Sequence, residues 1–275
     1  MKDRYQKFYE DVGKCYPEDK ITYSTLSGLL RKKWILSRIQ EMPSGNLLDC
    51  GCNVGRLSAS WHKGNVFGVD ISFAVLKKGK RLFPQVNFIH GDLRNIAFIK
   101  SQSINNAIAC EVVEHLDKPL DFLNGLYSIM KQGGLILITT PCYTYVRPQH
   151  VALGVLRSFG VHEGTEAEHD NLYLHTAYKP EELGKMVKHV GFEVVEDGCF
   201  EFELRGWLKP LTILVGIFQF ISTRHFPDSR LNQLFTCHVE RFKINLFLLL
   251  ETFSFSKLLK FLFKEGKRAY VLARK

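Results

Sequence analysis

The sequence predicts an α/β protein with a doubly wound, mostly parallel sheet, and three observations support this fold class. Residues 47–55, LLDCGCNVG, have the pattern of a buried strand that runs into a glycine turn. Short apolar runs then alternate with helical segments of about 10 to 15 residues, which is typical of βαβ units. Carboxylates follow several of the strands, at the edge where such sheets bind ligands.

The first half of the chain supplies a helix followed by alternating strands and helices. Apolar periodicity predicts a helix around residues 29–42, and the glycine turn is expected to open a further helix over residues 56–62. Asn53 replaces a glycine in that turn, which is compatible with it because asparagine tolerates a left-handed backbone. The remaining elements of this half are predicted as strand 47–50, strand 65–70, helix 72–83 and strand 86–90.

The second half continues the alternation and then changes character. Pro119 in the first turn of a helix and Pro141 after a strand mark element boundaries. Residues 142–175 lack periodicity and are expected to form a long functional loop, with a helix near residues 152–158. The other predicted elements are strand 104–110, helix 118–131, strand 135–140, helix 180–190, strand 192–195 and a last strand over 268–275.

Cysteine content and the N-terminus indicate a reducing, cytoplasmic location. The seven cysteines are odd in number and scattered, unlike a disulfide framework. The N-terminal segment is charged and aromatic, without the apolar stretch of a secretory signal. We also find no uncharged apolar run of about 18 residues, the length that a membrane-spanning helix needs.

Positive charge is concentrated near the C-terminus. The chain has a formal net charge of +9, and from residue 200 onward 13 Lys or Arg stand against 6 Asp or Glu. A nearly neutral body with a basic C-terminal region favours contact with an anionic surface, membrane or nucleic acid, although a solvated basic face would have the same composition.

Several separate motifs resemble the class I S-adenosylmethionine-dependent methyltransferases, and within them the methyltransferase type 11 and ubiquinone-biosynthesis O-methyltransferase branch. LLDCGCNVG is similar to the first motif of that family, usually DxGxGxG, while CEVVEHL, KQGGLILITTP and KPEELGKMVKHVGFEVV are similar to later segments. A nicotinamide dehydrogenase is the competing interpretation, but Arg56 stands where its third glycine would be. The resemblance implies a three-layer Rossmann-like domain with a seven-stranded, mostly parallel sheet.

The same resemblance implies S-adenosyl-L-methionine as the cofactor. Asp70, nineteen residues after Gly51, looks like the acceptor for the ribose hydroxyls, and Asp92 looks like the acceptor for the adenine amine. A carboxylate pairs well with two hydroxyls, which supports the ribose assignment on chemical grounds. The predicted cofactor-binding residues are Asp49, Gly51, Cys52, Asn53, Gly55, Asp70, Ile71, Asp92, Leu93, Cys110 and Glu111.

His115 is the predicted catalytic residue. It follows the fourth strand at the cofactor edge, and histidine titrates near neutrality, so it could remove a proton from the acceptor. The alternative is that the Glu114–His115 pair only orients the next helix or the cofactor.

A metal site is a second interpretation of the same segment. Glu111, Glu114 and His115 form ExxEH, which resembles the metal site of the small-RNA 3′-end 2′-O-methyltransferases, and His169 or His175 could add a fourth ligand. Such ligands suit Mg²⁺, Mn²⁺ or Zn²⁺, and the metal would acidify a hydroxyl. EHL also occurs in the quinone-type branch, which makes a metal the less favoured of the two interpretations and leaves both open.

An apolar insertion is predicted before the last strand. Residues 207–221 and 244–264 read as helices, and in the second Lys257, Lys260 and Lys264 share one side. A basic amphipathic helix suits a membrane interface, although packing on the sheet or in a homodimer has the same pattern. The predicted domains are 1–199 plus 268–275, with a helical segment over 1–45, and the insertion 200–267.

The sequence thus predicts a methyltransferase that acts on oxygen of a small or lipid-like acceptor. The alternatives are a metal-dependent RNA 2′-O-methyltransferase and a non-catalytic interaction protein of this fold. The insertion favours an apolar substrate and, in part, peripheral binding to the inner membrane face, whereas nucleic acid is not expected.

Overall fold

The computed structural model describes residues 4–165, 172–204 and 263–275, together with positions 241 and 245. Its strands are β1 (Leu47–Cys50), β2 (Val66–Asp70), β3 (Asn87–His90), β4 (Ile104–Cys110), β5 (Met130–Pro141), β6 (His150–Ala152), β7 (Leu172–Leu174), β8 (Glu193–Leu204) and β9 (Phe263–Arg274). Its α-helices are α1 (Arg4–Cys15), α2 (Glu18–Ile21), α3 (Leu26–Glu41), α4 (Phe73–Leu82), α5 (Pro119–Ile129), α6 (Gly154–Ser158) and α7 (Pro180–Val190).

Seven strands form one sheet in the order β3-β2-β1-β4-β5-β9-β8. The strands from β1 to β5 pair in parallel, and β9 lies antiparallel between β5 and β8. The order reverses between β1 and β4, which is the switch point where ligands bind in open α/β sheets. The predicted fold class, a mostly parallel seven-stranded sheet of the class I methyltransferase type, is confirmed.

Helices cover both faces of the sheet because each buries an apolar stripe. On one face, Phe122 of α5 and Leu183 of α7 are fully buried against β4 and β5. On the other face, Ile35 and Ile39 of α3 pack on Leu47 of β1. Local capping agrees with these positions, since the Thr25 side chain accepts a hydrogen bond from the Gly28 N–H at the start of α3.

The prediction of a helix over residues 56–62, directly after the glycine turn, is wrong. Residues 51–57 form a turn, and only a single 3₁₀ turn, Ser58–Ser60, follows. Trp61 is extended and buried, and its indole N–H donates to the Gly45 carbonyl at 3.0 Å. This contact returns the chain to the opposite end of the sheet within a few residues, which leaves no room for a longer helix.

The last two strands of the sheet are longer than predicted. β8 continues to Leu204 and β9 begins at Phe263, where the two residues are paired. Residues 200–204 and 263–267, which the prediction placed in the insertion, are therefore sheet. The predicted helices 207–221 and 244–264 otherwise lie outside the described residues, so the division into domains stays a prediction. A bilayer-spanning helix is not found within the described part of the chain.

Residues 142–175, predicted as a loop with one helix, contain more regular structure. Strands β6 and β7 pair antiparallel, with Val151 opposite Tyr173, and the short helix α6 follows β6. Leu153 and Val161 from this segment are buried with Phe8 of α1. The segment is therefore packed against the N-terminal helix, a contact between parts of the chain that are distant in sequence.

Candidate functional site

A cavity of about 640 Å³ lies at the carboxyl ends of β1, β2 and β4. Strand ends form its floor, and the N-terminal helices and the β6–β7 segment form its walls. All but one of the predicted site residues line it: Asp49, Gly51, Cys52, Asn53, Asp70, Ile71, Asp92, Leu93, Cys110, Glu111 and His115.

Gly55, the remaining predicted cofactor-binding residue, does not line the cavity. A Cβ at this position would lie 2.9 Å from the Phe88 ring, and the backbone has a φ of +78°. Gly55 is therefore needed for close packing of the turn and for its left-handed backbone, as glycine often is.

The glycine turn approaches the cavity closely and holds Asp70. Gly51 has a φ of +70°, and a Cβ there would lie 2.6 Å from Val112 Cγ2. Asn53, with a φ of 50°, donates its backbone N–H to Asp70 Oδ2 at 2.8 Å, and Ser72 N–H donates to Oδ1 at 2.9 Å. Burial raises the pKa of Asp70, and these donors oppose that rise. The Asp70 side chain is thus oriented before any ligand binds.

Asp49 lies deeper in the site than Asp70. Its side chain is only 2% exposed, and burial raises its pKa to about 7, a rise that hydrogen bonds from Ser58 oppose. Oδ2 of Asp49 has no hydrogen-bond partner among the described residues. Asp49 therefore ties the turn to Ser58 while it keeps an acceptor oxygen at the cavity wall.

Asp92 is already engaged by a neighbouring arginine. Arg94 Nη2 donates to Asp92 Oδ2 at 2.7 Å, and Arg94 Nε donates to the same carboxylate. The Arg94 guanidinium also lies 4.2 Å from the centre of the Tyr5 ring in α1, a cation–π contact. The predicted adenine acceptor is thus part of an Asp–Arg–Tyr stack that joins the strand end to the N-terminal helix.

The N-terminal segment covers the cavity through contacts that the sequence reading missed. Tyr5 donates its hydroxyl to the His115 carbonyl at 2.9 Å, and Glu10 accepts from the Ser72 hydroxyl at 3.0 Å. The sequence feature that could have indicated this contact is the high density of aromatic residues in a charged N-terminal segment. The lining residues that were not predicted include Tyr5, Tyr9, Tyr16, Glu18, Tyr23, Arg31, Tyr173 and Arg268.

His115 is held in one tautomer beside the cavity. It lies on the 3₁₀ turn Val113–His115, and its Nδ1 is 3.0 Å from the Leu174 carbonyl. Because a carbonyl can only accept, Nδ1 carries the proton and Nε2 keeps its lone pair. Burial lowers the pKa of His115, which favours the neutral ring. The geometry therefore presents a basic nitrogen, Nε2, inside the site.

Unpartnered polar groups surround His115. Glu114 is fully buried, and neither of its carboxyl oxygens has a hydrogen-bond partner among the described residues. Burial, with a contribution from the charge of Glu111, raises the pKa of Glu114 well above its ordinary value. His175 Nδ1 is also unpartnered, and burial and His115 lower the pKa of this ring to about 4. Such groups are costly unless a ligand satisfies them.

The same groups could hold a metal ion, in a set that differs from the predicted one. Donor atoms of Glu114, His115 and His175 all lie within 4.8 Å of one another. Glu111 is not in the set, because its carboxylate pairs with Arg268 Nε at 2.7 Å and accepts from the Thr139 hydroxyl at 3.0 Å. His169, the other predicted candidate, lies outside the described residues.

Comparison with known proteins identifies the central segment. A family described as a methyltransferase domain matches residues 48–138, which contain the glycine turn, Asp70, Asp92 and His115. Trans-aconitate 2-methyltransferase of Azoarcus sp. (strain BH72) is 28% identical over 120 residues, 42% of this chain and 46% of that protein. Mitochondrial ubiquinone biosynthesis O-methyltransferase of Dictyostelium discoideum is 30% identical over 125 residues, 40% of this chain and 39% of that protein.

Similarity to solved structures concerns the fold alone. The 1,6-didemethyltoxoflavin-N1-methyltransferase of Burkholderia thailandensis superposes with a TM-score of 0.51 at 14% identity, over 70% of this chain and 80% of that one. The matches to trans-aconitate 2-methyltransferase and to a malonyl-[acyl-carrier protein] O-methyltransferase cover 46% and 47% of those proteins. The chain therefore spans about half the length of these relatives.

Proposed function

We propose that this chain, which carries a methyltransferase domain on the class I S-adenosylmethionine-dependent methyltransferase fold, transfers a methyl group from S-adenosylmethionine to oxygen of a small or lipid-like acceptor. One observation carries the proposal. A single cavity at the switch point of the sheet joins the glycine turn and Asp70 to a partly buried histidine whose lowered pKa favours the neutral ring. A cofactor site and a proton acceptor thus line the same cavity.

The residues present fit the cofactor. Gly51 lines the cavity with its backbone, Asp49 has an unpartnered oxygen among the described residues, and Asp70 is oriented by two backbone N–H groups. When bound, S-adenosylmethionine supplies an electrophilic methyl group and a neutral leaving group. Asp70 would accept from its ribose hydroxyls and Asp92 from its adenine amine.

His115 supplies the proton transfer in this proposal. A neutral hydroxyl is a poor nucleophile, and a positioned base that removes its proton typically accelerates a reaction by about 10²- to 10⁴-fold. His115 Nε2 would take the hydroxyl proton as the new oxygen–carbon bond forms. The resulting imidazolium would keep its Nδ1–H on the Leu174 carbonyl and lie 4.0 Å from Glu114 Oε1. That new charge favours ionisation of Glu114, which stabilises the product state.

The acceptor end of the cavity supports an apolar substrate with a hydrogen-bonding head. Val151, Ala152, Val155 and Leu156, which belong to β6 and α6, also line the cavity. Apolar walls with few convergent polar groups are typical of sites for small organic ligands. Membrane contact through residues 207–264, a cytoplasmic location and a homodimer stay predictions.

Isothermal titration and isotope transfer test this function. We expect S-adenosylmethionine and S-adenosylhomocysteine to bind the purified protein, and tritium from methyl-labelled S-adenosylmethionine to appear on an acceptor in a panel of phenols, carboxylic acids and hydroxylated lipids. Absence of cofactor binding contradicts the proposal. Binding without transfer to any acceptor in the panel favours the alternative of a non-catalytic interaction protein.

A metal-dependent reaction is the second candidate, favoured by the Glu114, His115 and His175 cluster. We expect methyl transfer to persist in excess EDTA, because His115 already presents a basic nitrogen without a metal. Loss of activity in EDTA, its recovery with Mn²⁺, and loss of Mn²⁺ binding in His175→Ala would instead support the metal-dependent reaction. His189→Ala, on the exposed face of α7, is the matched control for Mn²⁺ binding. The RNA hypothesis depends on this candidate.

A further inference from the structure

Glu18 lines the cofactor cavity although it belongs to the short N-terminal helix α2. Its Oε2 accepts a hydrogen bond from Asn53 Nδ2 at 3.0 Å. The backbone N–H of the same asparagine donates to Asp70 Oδ2 at 2.8 Å. The N-terminal segment that covers the cavity, α1 and α2, is called the lid below. Asn53 therefore connects two carboxylates, one from this lid and one from the end of β2.

The two carboxylates are close enough to disturb each other. Glu18 is exposed as a residue, but loss of water around its carboxyl group and, next, the charge of Asp70 raise its pKa to about 7, while Asn53 and Arg31 oppose the rise. A ligand that donates one hydrogen bond to each carboxylate would offset the repulsion between Glu18 and Asp70. Two adjacent hydroxyls on one ligand are such donors, because each can donate to one carboxylate while the ligand remains uncharged.

A metal ion explains this pair less well than a diol does. Among the described residues, the donor atoms that cluster closely enough to share a metal ion belong to Glu114, His115 and His175, and neither Glu18 nor Asp70 is in such a set. Backbone N–H groups of Asn53 and Ser72 already donate to the two oxygens of Asp70, which leaves less of the carboxylate charge for a cation.

We propose that Glu18 is a second ribose ligand of S-adenosylmethionine, accepting from one hydroxyl while Asp70 accepts from the other. This inference rests on the proposed function and deepens it. It also gives a reason for Asn53 in place of the usual glycine of the motif. The position needs a φ of 50°, which asparagine tolerates, and a side-chain donor that holds Glu18, which glycine lacks. The N-terminal lid would thus close on the cofactor itself.

Deoxy analogues of the product test this assignment. We expect Glu18→Ala to bind S-adenosylhomocysteine about 10-fold more weakly than the wild type, since a hydrogen bond to a charged group contributes ~1.5–3 kcal/mol. Glu18 is expected to bind one of the two ribose hydroxyls, so one of the 2′-deoxy and 3′-deoxy analogues lacks its partner. The wild type and Glu18→Ala should bind that analogue with equal affinity. Glu18→Gln, which keeps the size and an acceptor oxygen, should lose less affinity. Asp11→Ala on α1 is the control in the same segment.

The alternative is that Glu18 only latches the lid onto Asn53. In that case Glu18→Ala and Asn53→Gly would weaken S-adenosylhomocysteine and both deoxy analogues by the same factor, and the inference would be overturned. Unchanged affinity in Glu18→Ala, with wild-type binding intact, overturns it as well. Failure of the wild type to bind S-adenosylhomocysteine overturns the proposed function too. Thermal unfolding of each variant without ligand checks that it is folded.

Discussion

Replacement of His115 by Asn is expected to lower the rate of methyl transfer by about 10²- to 10⁴-fold. Asparagine keeps a side-chain N–H that can donate to the Leu174 carbonyl, where His115 Nδ1 now donates at 3.0 Å. It does not supply the basic nitrogen at the Nε2 position. The loss should therefore fall on the turnover number, while S-adenosylhomocysteine affinity, measured by titration calorimetry, stays close to that of the wild type.

The pH profile separates a base from a structural histidine. Burial lowers the pKa of His115, so the neutral, active form should persist to a lower pH than for an ordinary histidine. The wild-type turnover number should fall only as pH drops through that lowered pKa, and His115→Asn should lack this fall. His189→Asn, on the exposed side of α7, should match the wild type. Near-wild-type turnover in His115→Asn would show that His115 is not the base.

Replacement of Asp70 by Ala is expected to weaken S-adenosylhomocysteine binding by about 10- to 100-fold, since hydrogen bonds to charged groups contribute ~1.5–3 kcal/mol each. The change removes the proposed acceptor for a ribose hydroxyl. It also frees the N–H groups of Asn53 and Ser72, which Asp70 holds at 2.8 and 2.9 Å. The glycine turn and the start of α4 would lose their common anchor.

Asp70→Asn distinguishes these two contributions. Asparagine retains one acceptor oxygen for a backbone N–H but lacks the negative charge, so an intermediate affinity is expected. Asp121→Ala, exposed in the first turn of α5, is the matched control and should bind normally. Calorimetry with S-adenosylhomocysteine measures the affinities, and equal values for Asp70→Ala and the wild type would exclude the ribose contact. Thermal unfolding reports any loss of stability separately.

Local sequence patterns were sufficient to predict the positions of most strands of the sheet. Strands Leu47–Cys50 and Ile104–Cys110 and helix Pro180–Val190 lie where apolar runs, prolines and glycines predict them. The helix predicted over residues 56–62 was wrong because burial of Trp61 outweighed local helix preference. The three-residue pairing of β6 with β7 was not predicted, because segments of three residues carry no period that can be recognised.

The residues of the candidate site likewise fall into a group that local sequence patterns predict and a group that only the tertiary structure brings together. Asp49, Asp70 and Glu111 follow strands directly, and parallel strands must bring their carboxyl ends to one edge, so a linear motif was enough to group them. Glu18, Tyr9, His175 and Arg268 reach the cavity from segments far away in the chain. The ion pair of Glu111 with Arg268, which takes Glu111 out of the expected metal set, joins β4 to β9 across the sheet.

The amino-acid order therefore defined the cofactor half of this protein, because its ligands lie on consecutive strand ends and in one turn whose geometry depends on neighbouring residues. The acceptor half was decided by folding. The neutral His115 requires the Leu174 carbonyl, the unpartnered Glu114 requires burial, and the lid requires Asn53 to contact Glu18. These properties depend on distances between segments and on exclusion of water, which arise only when the tertiary structure has formed.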